Sequence, residues 1–271
     1  MTELPMSGDE VIVALGSALF ALTVWGRWMI GPMRLRRLGA PATGSRLLTI
    51  APILCLVLLF VVLRTLASHD VRDDPRYLVM YLALGAAWLA VAMMLMPVLG
   101  LSVRDDVLER GNPAAAYAAS GALLGITLSF AGGNIGDGPG WWVVVFSAIL
   151  ATAALYLLWA LLERFADVSE QVTVERDAAA GARLAGFLTG CGLILGRAVA
   201  GDWVSASATI TDFARVATPV LGLLLIAIPL ERLARCTPQH PVRPVVTWGL
   251  GPALLYVTLA TAYVAVIGIP A

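Results

Sequence analysis

Long apolar runs separated by short polar stretches dominate the pattern of this 271-residue chain. A helix needs roughly 20 apolar residues to cross a hydrocarbon core of about 30 Å. The runs are continuous and do not alternate with polar residues, which favours helices over strands. The pattern predicts an all-α, polytopic membrane protein with about eight transmembrane helices. Their predicted bounds are 10–30, 46–66, 77–99, 113–132, 141–162, 178–199, 213–230 and 245–267.

The composition agrees with this class of protein. Hydrophobic residues make up 59% of the chain and charged residues 13%, and the mean hydropathy is +0.86. Soluble domains carry a larger share of charged residues. The formal net charge is zero, so no nucleic-acid partner is predicted, and the lipid bilayer is the expected environment.

The distribution of arginine predicts the orientation in the membrane. Arg34, Arg36, Arg37 and Arg46 lie between the first two apolar runs. Because arginine-rich loops stay on the cytoplasmic side, the amino terminus is predicted outside. With eight spans, the carboxyl terminus is also outside. The first run lacks a basic flank and a small-residue cleavage site, which favours a retained, multi-pass anchor in a bacterial plasma membrane.

A charged stretch runs twice into a helix of small residues. The two copies are VLERGNPAAAYAASGALLG (107–125) and VERDAAAGARLAGFLTG (174–190). Such an internal repeat indicates a duplicated unit. Both copies turn on the same side of the membrane, so we expect tandem hairpin repeats of parallel orientation and not inverted ones. The expected single membrane domain, 1–271, comprises a helix pair at 1–76, repeat units at 77–140 and 141–201, and a helix pair at 202–271.

The first copy reads Glu-Arg-Gly-Asn-Pro-Ala-Ala-Ala and continues into a helix with a Gly-xxx-Gly motif. This segment resembles the domain-of-unknown-function 350 family of bacterial inner-membrane proteins. The resemblance covers about residues 77–201 and is clearest over 161–190. Asp177 departs from the family's pattern, which favours Asn there. The resemblance implies no established activity; it implies an association with membrane-stress and envelope-maintenance systems.

Two helix starts form the candidate site. Asn112 stands before Pro113, and Asp177 stands at the equivalent place in the second copy. Asn and Asp side chains satisfy the free amides of a first helical turn, and proline is favoured at the first helical position. One interpretation is that both residues are only caps. The other is that the two starts, with Glu109 and Glu175 nearby, converge on an inner-surface site for a cation or a partner.

Arg183 lies about two turns into the sixth apolar run. One interpretation is that its long side chain extends along the helix to the membrane interface. If it faces inward instead, Glu109 or Glu175 is the expected partner, and the pair marks an inner vestibule. No acidic residue is expected deep within a span, which argues against a proton-coupled transporter.

Glycines with four-residue spacing occur in both repeated helices. Gly121 and Gly125 lie in the first helix, and Gly186 and Gly190 lie in the second. This spacing lets the backbones of transmembrane helices approach closely. Close helix packing is therefore the first interpretation. The alternative is that these faces line a narrow pore or form the interface of a homo-oligomer.

No catalytic residue, cofactor or metal site is predicted. Cys55, Cys191 and Cys236 form no paired motif, and His69 and His240 fall on opposite sides of the predicted membrane. We therefore expect a non-enzymatic envelope-maintenance or scaffold protein. The alternative is an ion channel or small-solute transport protein with a pore between the repeated helices. A second copy of the chain and a cytoplasmic or envelope-stress protein are the candidate partners.

Overall fold

The computed structural model describes residues 6–37, 45–237 and 243–270. These residues form helices and turns and no β-sheet. Three short π-helical turns interrupt the path, and we call them the first, second and third π turns: Val103–Glu109, Glu170–Val174 and Val245–Leu250. The α-helices are α1 (Gly8–Arg37), α2 (Ser45–Thr65), α3 (His69–Asp73), α4 (Pro75–Leu95), α5 (Pro113–Gly132), α6 (Trp141–Ala166), α7 (Ala178–Val199), α8 (Ala206–Ala217), α9 (Pro219–Ala234) and α10 (Gly251–Ile267).

Seven helical segments of the described chain are long and apolar enough to cross a membrane. Their bounds agree within a few residues with seven of the eight predicted runs. The predicted run at 213–230 is wrong in its bounds, because the structure has two helices there, α8 and α9, which meet at an angle of 43°. Pro219 begins α9, and it lacks the amide hydrogen that would continue the hydrogen bonding of α8, so the helix bends at that point. Counting this bent pair as one span gives eight.

Helices α5 and α7 occupy the centre of the molecule, since 78% of an 18-residue apolar stretch of each is buried. Helix α2 packs against α5, α10 packs against α7, and α6 contacts both central helices. Helix α1 lies at the periphery against α4, and only 11% of its corresponding stretch is buried. The order across the molecule is therefore α2, α5, α7 and α10, with α6 behind the central pair.

The two central helices run parallel with their backbones in contact. A Cβ atom added to Gly121 would lie 2.2 Å from the Cα atom of Ala185, and one added to Gly132 would lie 2.0 Å from the carbonyl oxygen of Gly196. The residue numbers of these contacts rise together along both helices. Glycine is required at such positions because any side chain would separate the helices. The start of α5 therefore lies beside the start of α7, and we call this side of the molecule the capped end.

Candidate functional site

Helix α5 starts at a fully satisfied amide cap. Gly111 adopts a left-handed backbone conformation with φ of 61°, which turns the chain into the helix. The Oδ1 atom of Asn112 accepts a hydrogen bond from the amide of Ala114 at 3.0 Å. Its Nδ2 atom donates to the carbonyl oxygen of Val172 at 2.7 Å. The buried Asn112 side chain therefore closes its own helix and fastens it to the second π turn.

Helix α7 starts in the same way but with a carboxylate. Arg176 is left-handed with φ of 57°, and its guanidinium donates to the carbonyl oxygen of Arg110 at 2.8 Å. The Oδ1 atom of Asp177 accepts from the amide of Ala179 at 2.9 Å. Its Oδ2 atom is buried without a hydrogen-bond partner. The two starts are thus linked to each other, but only the first has every polar atom satisfied.

Arg183 is completely buried and points into the interior of the capped end. Its Nε atom donates to Oε2 of Glu231 at 2.8 Å, and Nη1 donates to the carbonyl oxygen of Trp248 at 2.8 Å. Nη2 donates to Oε1 of Gln171 at 3.3 Å and lies 3.8 Å from Oδ2 of Asp177. We call Gln171, Asp177, Arg183, Glu231 and the Trp248 carbonyl the buried cluster. It joins α7, α9 and the second and third π turns.

Two expectations for Arg183 are wrong. Its side chain does not reach the interface, because burial with four protein partners holds it inside. Its expected partners are also not the ones it contacts. Glu109 pairs with Arg104 at 3.1 Å, and Glu175 pairs with Arg235 at 3.2 Å. The candidate site therefore divides into a buried part with Asp177 and Arg183 and a surface part with Glu109 and Glu175.

Glu231 is the residue that the sequence analysis missed. It lies just beyond the predicted run at 213–230, and the expectation concerned only acidic residues deep within a span. The structure continues α9 to Ala234, and Glu231 is 1% exposed. The sequence contains one signal for this burial. Val220, Leu224 and Ala227 are apolar and buried, and Glu231 continues their spacing on the same helical face.

Ion pairs link the end of α9 to the segment before α7, next to the buried cluster. Arg235 follows α9 and lies 3.2 Å from Glu175 and 3.8 Å from Asp167. It also donates to Glu170 in the second π turn. The hydrogen bond to Glu170 raises the pKa of Arg235 above its ordinary value. These exposed pairs tie the end of α9 to the loop before α7, and each exposed pair adds little stability on its own.

The four candidate packing glycines all lie at helix contacts. Gly121 and Gly125 face α7, where the nearest atoms belong to Ala185 and Leu188. Gly186 and Gly190 face α10, and an added Cβ atom would lie 2.3 Å from the Cα atom of Ala253 in the case of Gly186. The second pair thus repeats the role of the first pair toward a different neighbour.

A lateral groove opens beside the central pair near the capped end. Its volume is about 570 Å³, and helices α2, α5, α7 and α10 and the third π turn contribute its lining. The small residues Gly121, Ala185 and Thr189 form its floor, and Leu54 and Val257 belong to the helices on either side. The lining is mostly apolar, so the groove suits a hydrocarbon ligand more than a hydrated ion.

Among the residues that the structure describes, no group of His, Cys, Asp and Glu is arranged to hold a metal ion. His69 lies 2.9 Å from Asp73 on the exposed surface, and His240 lies outside the described residues. No protein-family model matches the chain, and neither does any curated protein or solved structure.

Proposed function

We propose that the chain is a membrane scaffold that holds an acyl chain of a phospholipid in the lateral groove. The groove of about 570 Å³ is the observation that carries this proposal. Large apolar pockets with a few polar groups are the usual form of a small-ligand site. Tyr117, Ser120 and Thr189 are the residues with hydroxyl groups that α5 and α7 contribute to the lining.

The length of the groove favours one lipid chain over a partner's transmembrane helix. Along α2 the lining extends from Leu47 to Cys55, and along α5 from Tyr117 to Leu124. At about 1.5 Å per residue these segments are roughly 10–12 Å long. One leaflet contributes about half of a hydrocarbon core of about 30 Å. The groove along α2 and α5 is therefore somewhat shorter than a single leaflet and far shorter than a helix that crosses the whole core.

Basic residues at the capped end fit the phosphate of such a lipid. Arg46 is exposed and directly precedes the groove residue Leu47. Arg243 stands two residues before the groove residue Val245 and stacks on the ring of Trp248 at 4.7 Å. Basic groups next to the membrane attract anionic lipids. We therefore propose an anionic phospholipid as the ligand.

Photolabelling tests the groove directly. The protein is placed in vesicles of phosphatidylethanolamine and phosphatidylglycerol that contain phosphatidylglycerol with a photoreactive acyl chain. Mass spectrometry of the labelled peptides should find the label concentrated in Tyr117–Leu124 and Ala182–Thr189. The double variant Ser120→Leu and Thr189→Leu fills the groove and should reduce this labelling severalfold.

The control variant is Thr261→Leu, which adds the same bulk at an exposed position of α10 outside the groove. It should leave the labelling unchanged, and equal melting temperatures would show that both variants fold. Label spread evenly over the exposed helices, or label that the double variant does not reduce, would contradict the proposal. Replacing the probe by photoreactive phosphatidylcholine should weaken the labelling if the anionic headgroup contributes.

A pore between α5 and α7 has less support than the scaffold. The backbones of these helices are in contact at Gly121, Gly125 and Gly132, which leaves no room for water between them. A conductance measurement in a planar bilayer with the purified protein tests this alternative. A steady ionic current that Gly121→Leu abolishes would favour the pore.

We also propose that the chain is built from tandem, parallel repeats and belongs near the domain-of-unknown-function 350 family. Supporting this, Asn112 and Asp177 each donate a backbone amide hydrogen bond to a π-turn carbonyl, of Asp106 and Gln171 respectively, at 3.0 and 2.9 Å. Each then caps a small-residue helix. The arginine pattern supports a plasma-membrane protein with both termini outside and the capped end in the cytoplasm.

A further inference from the structure

The buried cluster contains more negative than positive charge. Two carboxyl groups, those of Asp177 and Glu231, share the single guanidinium of Arg183. Their side chains are 6% and 1% exposed, and that of Arg183 is 0% exposed. If both carboxyl groups were ionised, the cluster would hold one uncompensated charge away from water. Such a charge is strongly disfavoured in a protein interior.

Local hydrogen bonds do not resolve this imbalance. Arg183 directs its Nε atom to Glu231, at 2.8 Å, and its remaining bonds reach the neutral groups Gln171 and the Trp248 carbonyl. The Oδ2 atom of Asp177 faces Arg183 at 3.8 Å and accepts no hydrogen bond. The amino terminus of α7 supplies a partial positive charge of about one half to Asp177, which is less than a full counter-charge.

The other titratable groups near the cluster do not supply a cation in contact with it. Within the described chain, Tyr256 of α10 lies near Glu231 and Arg183. Cys191 of α7 lies near Tyr256. Cys236 lies near Asp177 and Arg243. Arg243 donates a hydrogen bond to the carbonyl oxygen of Leu233 at 3.4 Å. Arg183 is therefore the only guanidinium in contact with both carboxyl groups among these residues.

We propose that the buried cluster is a proton-binding site that holds one proton, shared by Asp177 and Glu231, at neutral pH. Binding makes the cluster neutral: one carboxylate pairs with Arg183, and the other carboxyl group is protonated. The site is formed by α7, α9 and the second and third π turns, and none of its five members lines the groove, so the proposal does not require a bound lipid.

A proton bound only by the folded chain makes the stability of the fold depend on pH with a definite sign. In the unfolded chain both carboxyl groups ionise at about their ordinary values near pH 4. Above that pH the folded chain binds one more proton than the unfolded chain. Stability is therefore fully present below the unfolded value and decreases as the pH rises, until the folded cluster releases its proton.

Infrared spectroscopy of the full-length protein in vesicles tests the site. At neutral pH we expect a band from a protonated carboxyl group that shifts in heavy water. Asp177→Asn should abolish it, because the remaining Glu231–Arg183 pair is neutral without a proton. Glu231→Gln should also abolish it. Asparagine is itself a favoured helix cap, as Asn112 shows at the start of α5, so Asp177→Asn preserves the helix start.

Asp106→Asn is the matched control, since Asp106 is also buried but has its own arginine, Arg110, at 3.1 Å. This variant should keep the band. The melting temperature of the natural chain should fall from about pH 5 to about pH 9, and that of Asp177→Asn should change less. A band absent from the natural chain, or one that persists in both cluster variants, would overturn the proposal.

Discussion

The starts of α5 and α7 share one backbone design and differ in one chemical group. Each follows a π turn and a left-handed residue, and each is capped by a side chain that accepts from the first turn. The Asn112 amide also donates, and so it satisfies the Val172 carbonyl. The Asp177 carboxylate cannot donate. A neutral amide cap can thus satisfy a neighbouring carbonyl oxygen, whereas a carboxylate cap in the same setting requires a buried counter-charge.

The counter-charge accounts for the different surroundings of the two helices. Position 118 in α5 is an alanine, at the point that corresponds to Arg183 in α7. The interior near Asn112 therefore needs no ion, and the interior near Asp177 contains Arg183 together with Glu231. The start of α5 connects its helix to the second π turn, and the start of α7 belongs to an ionic cluster.

Removal of Arg183 should produce the largest effect. Arg183→Met keeps most of the volume but leaves two buried carboxyl groups without a cation. Breaking a buried ion pair from one side reduces the free energy of unfolding by about 3–5 kcal/mol. The measurement is a denaturant titration in detergent micelles at neutral pH.

The control for this variant is Arg104→Met. Arg104 pairs with Glu109 at 3.1 Å, but its side chain is 80% exposed. An exposed pair contributes about 0–1 kcal/mol, so the control should be close to the natural chain. Equal losses in the two variants would contradict the ionic account of the second helix start.

Exchanging the caps should produce a smaller and asymmetric effect. Asn112→Asp removes the donor to Val172 and places a carboxylate beside a buried carbonyl oxygen, which should lower the free energy of unfolding by about 1–3 kcal/mol. Asp177→Asn keeps the acceptor for Ala179 and removes the second carboxyl group of the buried cluster, so its loss should stay below about 1 kcal/mol. The same titration measures both variants. Similar losses for both would show that the caps are interchangeable and that the comparison has no chemical basis.

Much of the fold could be predicted from the local pattern of apolar residues, because each apolar run predicts one helix. The caps at Asn112 and Asp177 were also predictable, since capping depends on a few neighbouring residues. The bend before Pro219 was missed because the predicted run joined residues 213–218 to the apolar residues after Pro219, although Asp212 and Arg215 make α8 more polar than α9. The π turns were missed because their geometry is set by contacts with other segments, as Val172 shows by accepting from Asn112.

The ionic cluster could not be predicted in the same way. Arg183 and Glu231 are separated by 48 positions, and their contact depends on how α9 packs against α7. Glu109 and Glu175 were expected as partners of Arg183 instead, because they are closer in sequence to the two helix starts and carry the same charge as Glu231. The apolar positions 220, 224 and 227 have the spacing of one helical face, but this spacing does not identify the arginine that lies opposite Glu231.

The smallest expected effect concerns a third helix start, where the pH dependence of stability has the opposite sign to that of the buried cluster. Asp74 caps α4, and its carboxylate accepts from the amide of Arg76 at 2.8 Å and from the Arg76 guanidinium at 2.6 Å. The Arg76 side chain lowers the pKa of Asp74 below its ordinary value. The folded chain therefore holds this proton less tightly than the unfolded chain, and the stabilisation is present above the unfolded value and lost as the pH falls.

Asp74→Asn keeps a favoured cap residue and removes this titration. Melting temperatures from about pH 3 to about pH 7 should therefore decline less steeply on the acid side in the variant than in the natural chain. An unchanged acid decline would contradict the role of Arg76. The buried cluster should change the melting temperature in the opposite direction, toward lower stability at higher pH. A carboxylate cap with its own exposed arginine thus favours neutral pH, whereas one that shares a buried arginine with Glu231 favours a bound proton.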